Sequence, residues 1–253
     1  MLPSALQSRL LDQAGFRHAF FTRQGGVSEG PYASLNFAAN TGDVTGRVAA
    51  NRALAERALG VEPGALRFLS QVHGMRVVAV SAEVDFDATV REEGDAVISG
   101  DPSVAIGVRS ADCATLLFGD PESGVVAATH AGWRGTVLGV VEATLAALDA
   151  RGIECGRLIC AVGPMIERCC FEVGEDVAAT IAGCSSARDV VDARRSRPHV
   201  DLRAVIHAKL ADRGVSKRED VGGCTACNPD VVFSYRRDGR ESGRLLAAIV
   251  PGG

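Results

Sequence analysis

Several features that would place this chain in a common class of protein are missing from it. No apolar run approaches the roughly 20 residues that cross a bilayer. The N-terminus lacks the basic start and continuous apolar stretch of a secretory signal. No basic tract appears and the formal net charge is −4, which argues against nucleic acid as the main partner. We therefore expect a cytoplasmic protein that binds neither membranes nor nucleic acid.

The motifs of several enzyme classes are also missing. The sequence has no GxGxxG, GxxxxGK[ST] or GxSxG string, so dinucleotide, P-loop and nucleophile-elbow chemistries lack support. A zinc nucleobase deaminase needs HxE and PCxxC, but Met75 stands two residues after His73 and Gly223 precedes Cys224. A multicopper oxidase would need paired HxH motifs and more than the five histidines present.

What is present is an ordinary globular composition, with 253 residues of which 47% are hydrophobic. Apolar runs predict strands at 16–22, 66–74, 77–82, 95–99, 104–120 (two strands about a turn), 124–129, 157–164, 231–239 and 244–250. Helical spacing predicts helices at 43–60, 136–152, 201–214 and after the cysteine pair near 170. We expect 77–82 to form a hairpin with 66–74. Adjacent strands outnumber helices, so we predict an α+β class with mixed sheets in a single domain.

The string THAGWRG at 129–135 combines His130, the only tryptophan (Trp133) and Arg134 with three small residues. An apolar strand precedes it and a helical pattern follows it. The string is therefore predicted to be a strand-to-helix loop, a place where scaffolds often carry functional residues.

His73, Cys113 and His130 share one context, because each stands where a predicted strand ends or turns. Two imidazoles and a thiolate can bind zinc, and three ligands leave a fourth position for water or substrate. The alternative is that the histidines belong to loops and Cys113 is a small buried apolar residue. The residues alone leave both interpretations open.

The other cysteines include a CxxC at Cys224 and Cys227 and the adjacent pair Cys169 and Cys170. Together they could build a closed zinc site, but adjacent cysteines are poor geometry for a site that usually takes two CxxC-like turns. A redox CxxC lacks the thioredoxin-like context. We expect reduced cysteines that pack near a turn, and eight free thiols in the chain.

Arginines and aromatic residues recur in the same loops. Arg23, Arg134, Arg236 and Arg237 could present guanidinium forks to phosphate or carboxylate groups. Trp133 and Tyr235 stand beside arginines and could stack on a base. For any single arginine, a surface charge on a turn is the alternative.

A series of strings along the chain closely resembles the YfiH-like laccase-domain family. In order they are FTRQGGVS, PYASLN, SQVHG, GDAVIS, SADCATLL, THAGWRG, GPMIERCCFEVG and CTACNPDVVFSYRRDGRESGR. The match extends from about Phe20 to Arg244, and residues 184–200 carry no string of this kind. We therefore treat residues 1–253 as a single YfiH-like laccase domain.

The resemblance implies a fold of two mixed sheets packed together with flanking helices, and a metal site at His73, Cys113 and His130. It implies zinc, with copper also possible. Members of the family are described as purine nucleoside phosphorylases that also deaminate adenosine, have been called polyphenol oxidases, and have been given a role in editing peptidoglycan precursors. The first of these activities implies purine nucleosides and phosphate as partners.

We therefore expect a zinc-dependent phosphorylase acting on adenosine, inosine or methylthioadenosine, with adenosine deaminase activity, that is monomeric. The rivals are a Cys–His amidohydrolase with Cys113 as nucleophile and His130 as base, a metal-dependent binding protein, and a copper-dependent polyphenol oxidase. Asp95 or Asp112 is expected to move a proton. The expected substrate-binding residues are Arg23, Asn36, Gln71, Trp133, Arg134, Tyr235 and Arg236.

Overall fold

A computed structural model describes residues 3–252 of the chain. The strands are β1 (Ala5–Leu6), β2 (His18–Phe21), β3 (Leu66–Arg67), β4 (Val77–Ala79), β5 (Ala96–Ser99), β6 (Ala105–Ser110), β7 (Ala114–Gly119), β8 (Val126–Ala131), β9 (Ile159–Val162), β10 (Val191–Asp192), β11 (His199–Val200), β12 (Lys217–Asp220) and β13 (Leu245–Ile249). The helices are α1 (Arg9–Gln13), α2 (Thr45–Leu59), α3 (Phe86–Thr89), α4 (Trp133–Leu138), α5 (Val140–Asp149), α6 (Glu175–Ala182), α7 (Leu202–Asp212) and α8 (Tyr235–Asp238). Among these residues, no helix combines the length and apolar character needed to cross a membrane.

Two mixed sheets form the centre of the molecule. The first has the strand order β1-β2-β13-β6-β3, and the second has the order β12-β9-β7-β8-β5-β4. Most pairs are antiparallel, but β3 runs parallel to β6, β4 to β5 and β12 to β9. The central strands are buried along their whole length. This explains why they read as continuous apolar runs rather than as alternating ones.

The two sheets pack face to face, and each is covered on its other face. Along β13, Ala247 and Ile249 join the cluster between the sheets, whereas Leu246 and Ala248 face the side of the first sheet that α2 covers. This is the two-residue period of a strand. Helices α5, α6 and α7 cover the outer face of the second sheet. The predicted class, two mixed sheets packed together with flanking helices, is confirmed.

Many element predictions agree with the structure. Helix α2 ends at Gly60, which takes a left-handed conformation (φ 66°) suited to glycine. Helix α7 begins after Asp201, whose side chain accepts a hydrogen bond from the Ala204 N–H as an N-cap does. Gly214, the predicted helix end, is left-handed and follows Arg213.

Two predictions about neighbouring elements are wrong. Segments 66–74 and 77–82 do not form a hairpin, because β3 joins β6 in the first sheet while β4 joins β5 in the second. The segment 231–239 is not a strand. Ser234 caps a short helix there, α8, by accepting a hydrogen bond from the Arg237 N–H. The first error arises because strand partners are chosen by contacts distant in sequence, and the second because the local N-cap at Ser234 was not recognised.

The loop predicted at 129–135 is also shorter than expected. Strand β8 continues through His130 to Ala131, and helix α4 begins at Trp133, so Gly132 alone connects them. His130 is therefore held by the pairing of β8 with β7, in which it lies opposite Thr115. A rigid strand end positions its imidazole more accurately than a loop would.

Candidate metal and substrate site

Three segments bring His73, Cys113 and His130 together at one edge of the molecule. His73 lies in the turn after β3, Cys113 lies where the chain passes from β6 in the first sheet to β7 in the second, and His130 lies near the end of β8. Their ligand atoms all lie within 4.8 Å of one another. The Nε2 atom of His73 is 3.9 Å from the Cys113 Sγ, and the two imidazole centroids are 4.9 Å apart.

Gly132 leaves the space that this arrangement needs. A Cβ atom built on Gly132 would lie 2.8 Å from the Cys113 Sγ and 3.0 Å from Cδ2 of His73. The first distance is shorter than real Cβ contacts, so any larger residue would displace one of the two ligands. The backbone at Gly132 (φ −65°, ψ 165°) is open to all residues. The position therefore calls for glycine because of space and not because of backbone conformation.

Asp95 holds both histidines in position, His73 through its backbone turn and His130 through its imidazole. Its carboxylate accepts hydrogen bonds from the backbone N–H groups of Val72 (3.1 Å), His73 (3.0 Å) and Gly74 (2.7 Å). It also lies 2.8 Å from His130 Nδ1. When His130 is neutral, as it must be to bind a metal ion, this contact places its proton on Nδ1 and its lone pair on Nε2. Asp95 is fully buried, which raises its pKa, but these hydrogen bonds outweigh burial and the pKa is lowered.

The electrostatics of the cluster favour a thiolate. Burial raises the pKa of Cys113, but the charges and hydrogen bonds of His130 and His73 lower it to about 6 overall. Burial likewise lowers the pKa of His130, whereas the Cys113 thiolate and Asp95 raise it to about 9. The two groups thus form a thiolate–imidazolium pair in the absence of a cation. A bound metal ion would replace the imidazolium proton as the positive charge.

The donor set fits a borderline-soft metal ion. Two imidazoles and one thiolate, with an aspartate bonded to the distal nitrogen of one imidazole, make up the ligands and supporting carboxylate of many zinc sites. Imidazole with thiolate also suits copper. Three protein ligands leave a position open toward the cavity beside them.

That cavity has a volume of about 830 Å³. Its wall includes the three candidate ligands and five of the seven predicted substrate-binding residues, which are Gln71, Trp133, Arg134, Tyr235 and Arg236. Phe68, Phe86 and Phe171 add apolar rings that the sequence analysis did not single out. The cavity is within the range of small-molecule sites, and its wall combines these apolar rings with several arginines and other polar side chains.

The structure does not bring Arg23 and Asn36 to the cavity wall. The Arg23 guanidinium donates to the carbonyl groups of Ala33 and Pro229, so it braces two loops. Asn36 is fully buried, and its Oδ1 accepts a hydrogen bond from the Arg244 N–H at 2.8 Å. Gln71 and Arg236 also support the wall. Gln71 exchanges two hydrogen bonds with the backbone of Arg109, and Arg236 donates to the carbonyl groups of Cys170 and Glu172.

Asp112 lines the cavity, and each of its carboxylate oxygens accepts a hydrogen bond from a neighbouring loop. It takes a left-handed backbone conformation (φ 88°) in the turn before Cys113. One carboxylate oxygen accepts from the Thr225 hydroxyl at 2.5 Å and the other from the Arg236 N–H at 2.6 Å. These bonds fix the turn that carries the thiol.

Three arginines of the cavity wall, Arg52, Arg109 and Arg244, were missed by the sequence analysis, and of these Arg52 forms an ion pair with Glu56. Burial and the positive charge of Arg244 lower the pKa of Arg109 to about 10, and burial lowers the pKa of Arg244. Within residues 3–252, neither Arg109 nor Arg244 forms an ion pair with a carboxylate. Arg109 offered one signal in the sequence, because it directly follows the apolar run VAIGV and still belongs to strand β6, which is otherwise buried.

Known proteins resemble this chain over nearly its whole length. A family model described as "Multi-copper polyphenol oxidoreductase laccase" matches residues 17–251. A purine nucleoside phosphorylase of Streptomyces coelicolor is 39% identical over 93% of this chain and 95% of its own. One of Deinococcus radiodurans is 40% identical over 92% of this chain and 88% of its own. An adenosine deaminase of an unknown prokaryotic organism is 32% identical over 91% of this chain and 92% of its own.

A solved structure agrees with the sequence relatives. The crystal structure of the Bacillus licheniformis hypothetical protein YfiH superposes with a TM-score of 0.91 and 26% identity, covering 99% of this chain and 97% of that one. The resemblance to YfiH-like proteins that the sequence strings indicated is therefore confirmed.

Proposed function

Because the chain belongs to the multi-copper polyphenol oxidoreductase laccase family and its relatives include proteins named purine nucleoside phosphorylase and adenosine deaminase, we propose that it is a zinc-dependent purine nucleoside phosphorylase. Adenosine, inosine and methylthioadenosine are the proposed substrates, and adenosine deamination is a second activity. The observation that carries the proposal is one cavity that holds both the His73–Cys113–His130 set and arginines without carboxylate partners.

The arginines account for phosphate as a co-substrate. Arg109 and Arg244 place two positive charges in a partly desolvated wall, which favours binding of an anion that neutralises both. Arg134 stacks its guanidinium 4.7 Å from the Trp133 ring, and within the described residues it forms no hydrogen bond or ion pair through its side chain. Its five N–H donors are thus available to a ligand. In phosphorolysis, a phosphate oxygen bonds to C1′ while the bond from C1′ to the purine nitrogen breaks, and the base leaves with that electron pair and takes a proton.

The aromatic residues account for the purine. Trp133 and Tyr235 both line the same cavity, and Phe171 is buried beneath Arg236. Stacking of a base on such a ring is worth about 1–3 kcal/mol. Tyr235 lines the cavity and is exposed to solvent, so its ring is accessible to a ligand without any rearrangement of the core.

Zinc would be held by His73, Cys113 and His130. When bound, it supplies a Lewis acid that polarises an oxygen and brings the pKa of a bound water to about 7. Asp95 keeps the His130 lone pair on Nε2, and Asp112 keeps the Cys113 turn in place through Thr225 and Arg236. We therefore assign both carboxylates a positioning role in the proposed reaction.

A second candidate function has its own supporting observation. Cys113, His130 and Asp95 stand in the order of a nucleophile, a base and an orienting carboxylate, which is the arrangement of a Cys–His amidohydrolase. In that reaction the Cys113 sulfur bonds to an amide carbonyl carbon and the C–N bond breaks as His130 passes a proton to the leaving amine. Water then hydrolyses the thioester, which releases the acid and restores the thiol. The two candidates differ in their need for metal, because a nucleophilic thiolate must be free of zinc.

Polyphenol oxidation by several coppers has less support. Among residues 3–252, only two clusters bring three or more potential metal-binding side chains together. The second cluster consists of four cysteines (Cys169, Cys170, Cys224 and Cys227) and contains no histidine. Multicopper chemistry would require further imidazoles near the first group.

The proposal is tested by incubating purified protein of measured zinc content with adenosine or inosine, with and without phosphate. We expect release of free base and ribose 1-phosphate only when phosphate is present, and loss of this activity in His73→Ala. Met75→Ala is the matched control, because Met75 is exposed two residues further along and does not line the cavity. Absence of phosphate-dependent base release from zinc-loaded protein would refute the proposal. Amide hydrolysis that survives zinc removal would support the second candidate instead.

A further inference from the structure

Four cysteines outside the first site meet where two loops touch. Cys169 and Cys170 lie in a turn after β9, and Cys224 and Cys227 lie in a turn after β12. Their four sulfur atoms lie within 4.8 Å of one another. The Cys227 Sγ is 3.4 Å from the Cys170 Sγ and 3.7 Å from the Cys169 Sγ. All eight cysteines of the chain are free thiols.

These distances match a tetrahedral thiolate site. A zinc–sulfur bond of about 2.3 Å places the sulfurs of a regular tetrahedron about 3.8 Å apart. The objection that adjacent cysteines are poor ligands does not hold for this turn. The N–H groups of Cys170 and Phe171 both donate to the Glu167 carbonyl at 2.9 Å. The resulting tight turn brings both neighbouring sulfurs to the same cluster.

We infer that Cys169, Cys170, Cys224 and Cys227 form a second metal site that takes zinc or another soft divalent cation. The site is closed, because four protein ligands leave no position for substrate. Its role is structural, and it acts as a clip between the two loops. It does not depend on which reaction the first site performs.

The clip would hold part of the cavity wall. The Cys170 carbonyl accepts a hydrogen bond from Arg236 (2.9 Å). Next to Cys224, the Thr225 hydroxyl binds Asp112 (2.5 Å), the neighbour of Cys113. The bridge between Met165 and Cys224 joins the same two loops through the backbone. Metal at the four cysteines thus stabilises the turn that carries the first site's thiol without touching substrate.

The test measures metal in protein whose first site has been removed. The double variant His73→Ala, His130→Ala, expressed without an affinity tag and purified without chelators, should retain about one zinc per chain. Adding Cys227→Ser should lower zinc at least about tenfold, because a serine hydroxyl is a poor ligand for zinc. Cys169→Ser, also at an exposed cysteine, repeats the test at the other loop. Cys155→Ser is the control, because this cysteine lies outside both clusters, and it should keep the zinc.

Cobalt and thiol labelling identify the ligands independently of zinc content. Co²⁺ added to the metal-free double-histidine variant should give thiolate-to-cobalt charge-transfer absorption that Cys227→Ser abolishes. N-ethylmaleimide should modify the four cysteines only after zinc has been chelated, as read by peptide mass spectrometry. A folded double-histidine variant that holds neither zinc nor cobalt would overturn the inference. So would a native disulfide between any two of the four cysteines.

Discussion

Replacing Gly132 by alanine tests whether the space around the three candidate ligands is reserved for them. The new methyl group would lie 2.8 Å from the Cys113 Sγ and 3.0 Å from His73 Cδ2, closer by about 1 Å than the usual separation of nonbonded carbon atoms. Since the backbone at Gly132 accommodates alanine, the strain arises only from this contact. One of the two ligands must move away from the other.

The cost can be estimated from overpacking. An extra methyl group in a filled site costs about 1–3 kcal/mol. If the strain is relieved by displacing a ligand, the dissociation constant of zinc should rise by roughly 5- to 150-fold. If it is relieved elsewhere, the same free energy should be lost from the stability of the folded chain. The structure therefore predicts that the loss in zinc-binding free energy and the loss in the free energy of unfolding add up to about 1–3 kcal/mol.

Zinc affinity should be measured by competition with a chromophoric chelator, and the free energy of unfolding by urea titration of the metal-free protein. Gly174→Ala is the matched control. Gly174 also precedes a helix in an extended conformation (φ −71°, ψ 159°), and its added methyl group would meet only the side chain of Asp176, which is exposed and can turn away. Both variants share any loss from placing alanine at a helix N-cap. If Gly132→Ala matches Gly174→Ala in both measurements, the reasoning about reserved space is refuted.

Three further predictions concern the phosphate, the Asp95 carboxylate and the buried His18 of β2. Arg134→Lys should reduce phosphorolysis by roughly 10- to 150-fold and raise the phosphate KM, because lysine keeps the charge but loses the bidentate fork. Adenosine deamination and zinc content should stay near wild type. Asp95→Asn should weaken zinc binding by about 10- to 100-fold, because an amide cannot accept all four hydrogen bonds that the carboxylate accepts. His18 is buried and neutral, with Nε2 accepting the Ser8 N–H and Nδ1 bonded to the Phe16 carbonyl. Burial lowers its pKa below 6.5, so the folded state binds fewer protons, and stability should fall as the pH drops from about 6.5 toward the lowered pKa.

Each of these has a result that would contradict it. Equal loss of phosphorolysis, deamination and zinc in Arg134→Lys would show that the arginine only braces the turn. Wild-type zinc affinity in Asp95→Asn, measured by the same competition, would remove the positioning role of the carboxylate. For His18, urea titrations at about pH 7.5 and about pH 5.5 should show a loss of stability that His18→Gln reduces. An NMR titration that places the His18 pKa above 6.5 would contradict the prediction, because His18 would then stabilise the folded state at low pH instead of destabilising it.

The sequence alone determined the fold class and most of the central strands. Strands β5 to β9 and β13 are buried on both faces, and burial of that kind produces continuous apolar runs that can be read without knowing the partners. Helices α2 and α7 were also readable, because a cap residue or a glycine stop marks their ends within a few positions. The candidate ligands His73, Cys113 and His130 came from residue types at strand ends and from the resemblance of their strings to a known family.

The tertiary structure decided everything that depends on residues distant in sequence. The pairing of β3 and β4 with different sheets, the convergence of Cys169 and Cys170 on Cys224 and Cys227, and the approach of Arg109 to Arg244 join segments tens of residues apart or more. Local propensity and spacing carry no information about such contacts, because packing of the two sheets selects them. For the same reason, Asn36 and Arg23 could not be distinguished from cavity residues until their hydrogen bonds to neighbouring loops were known.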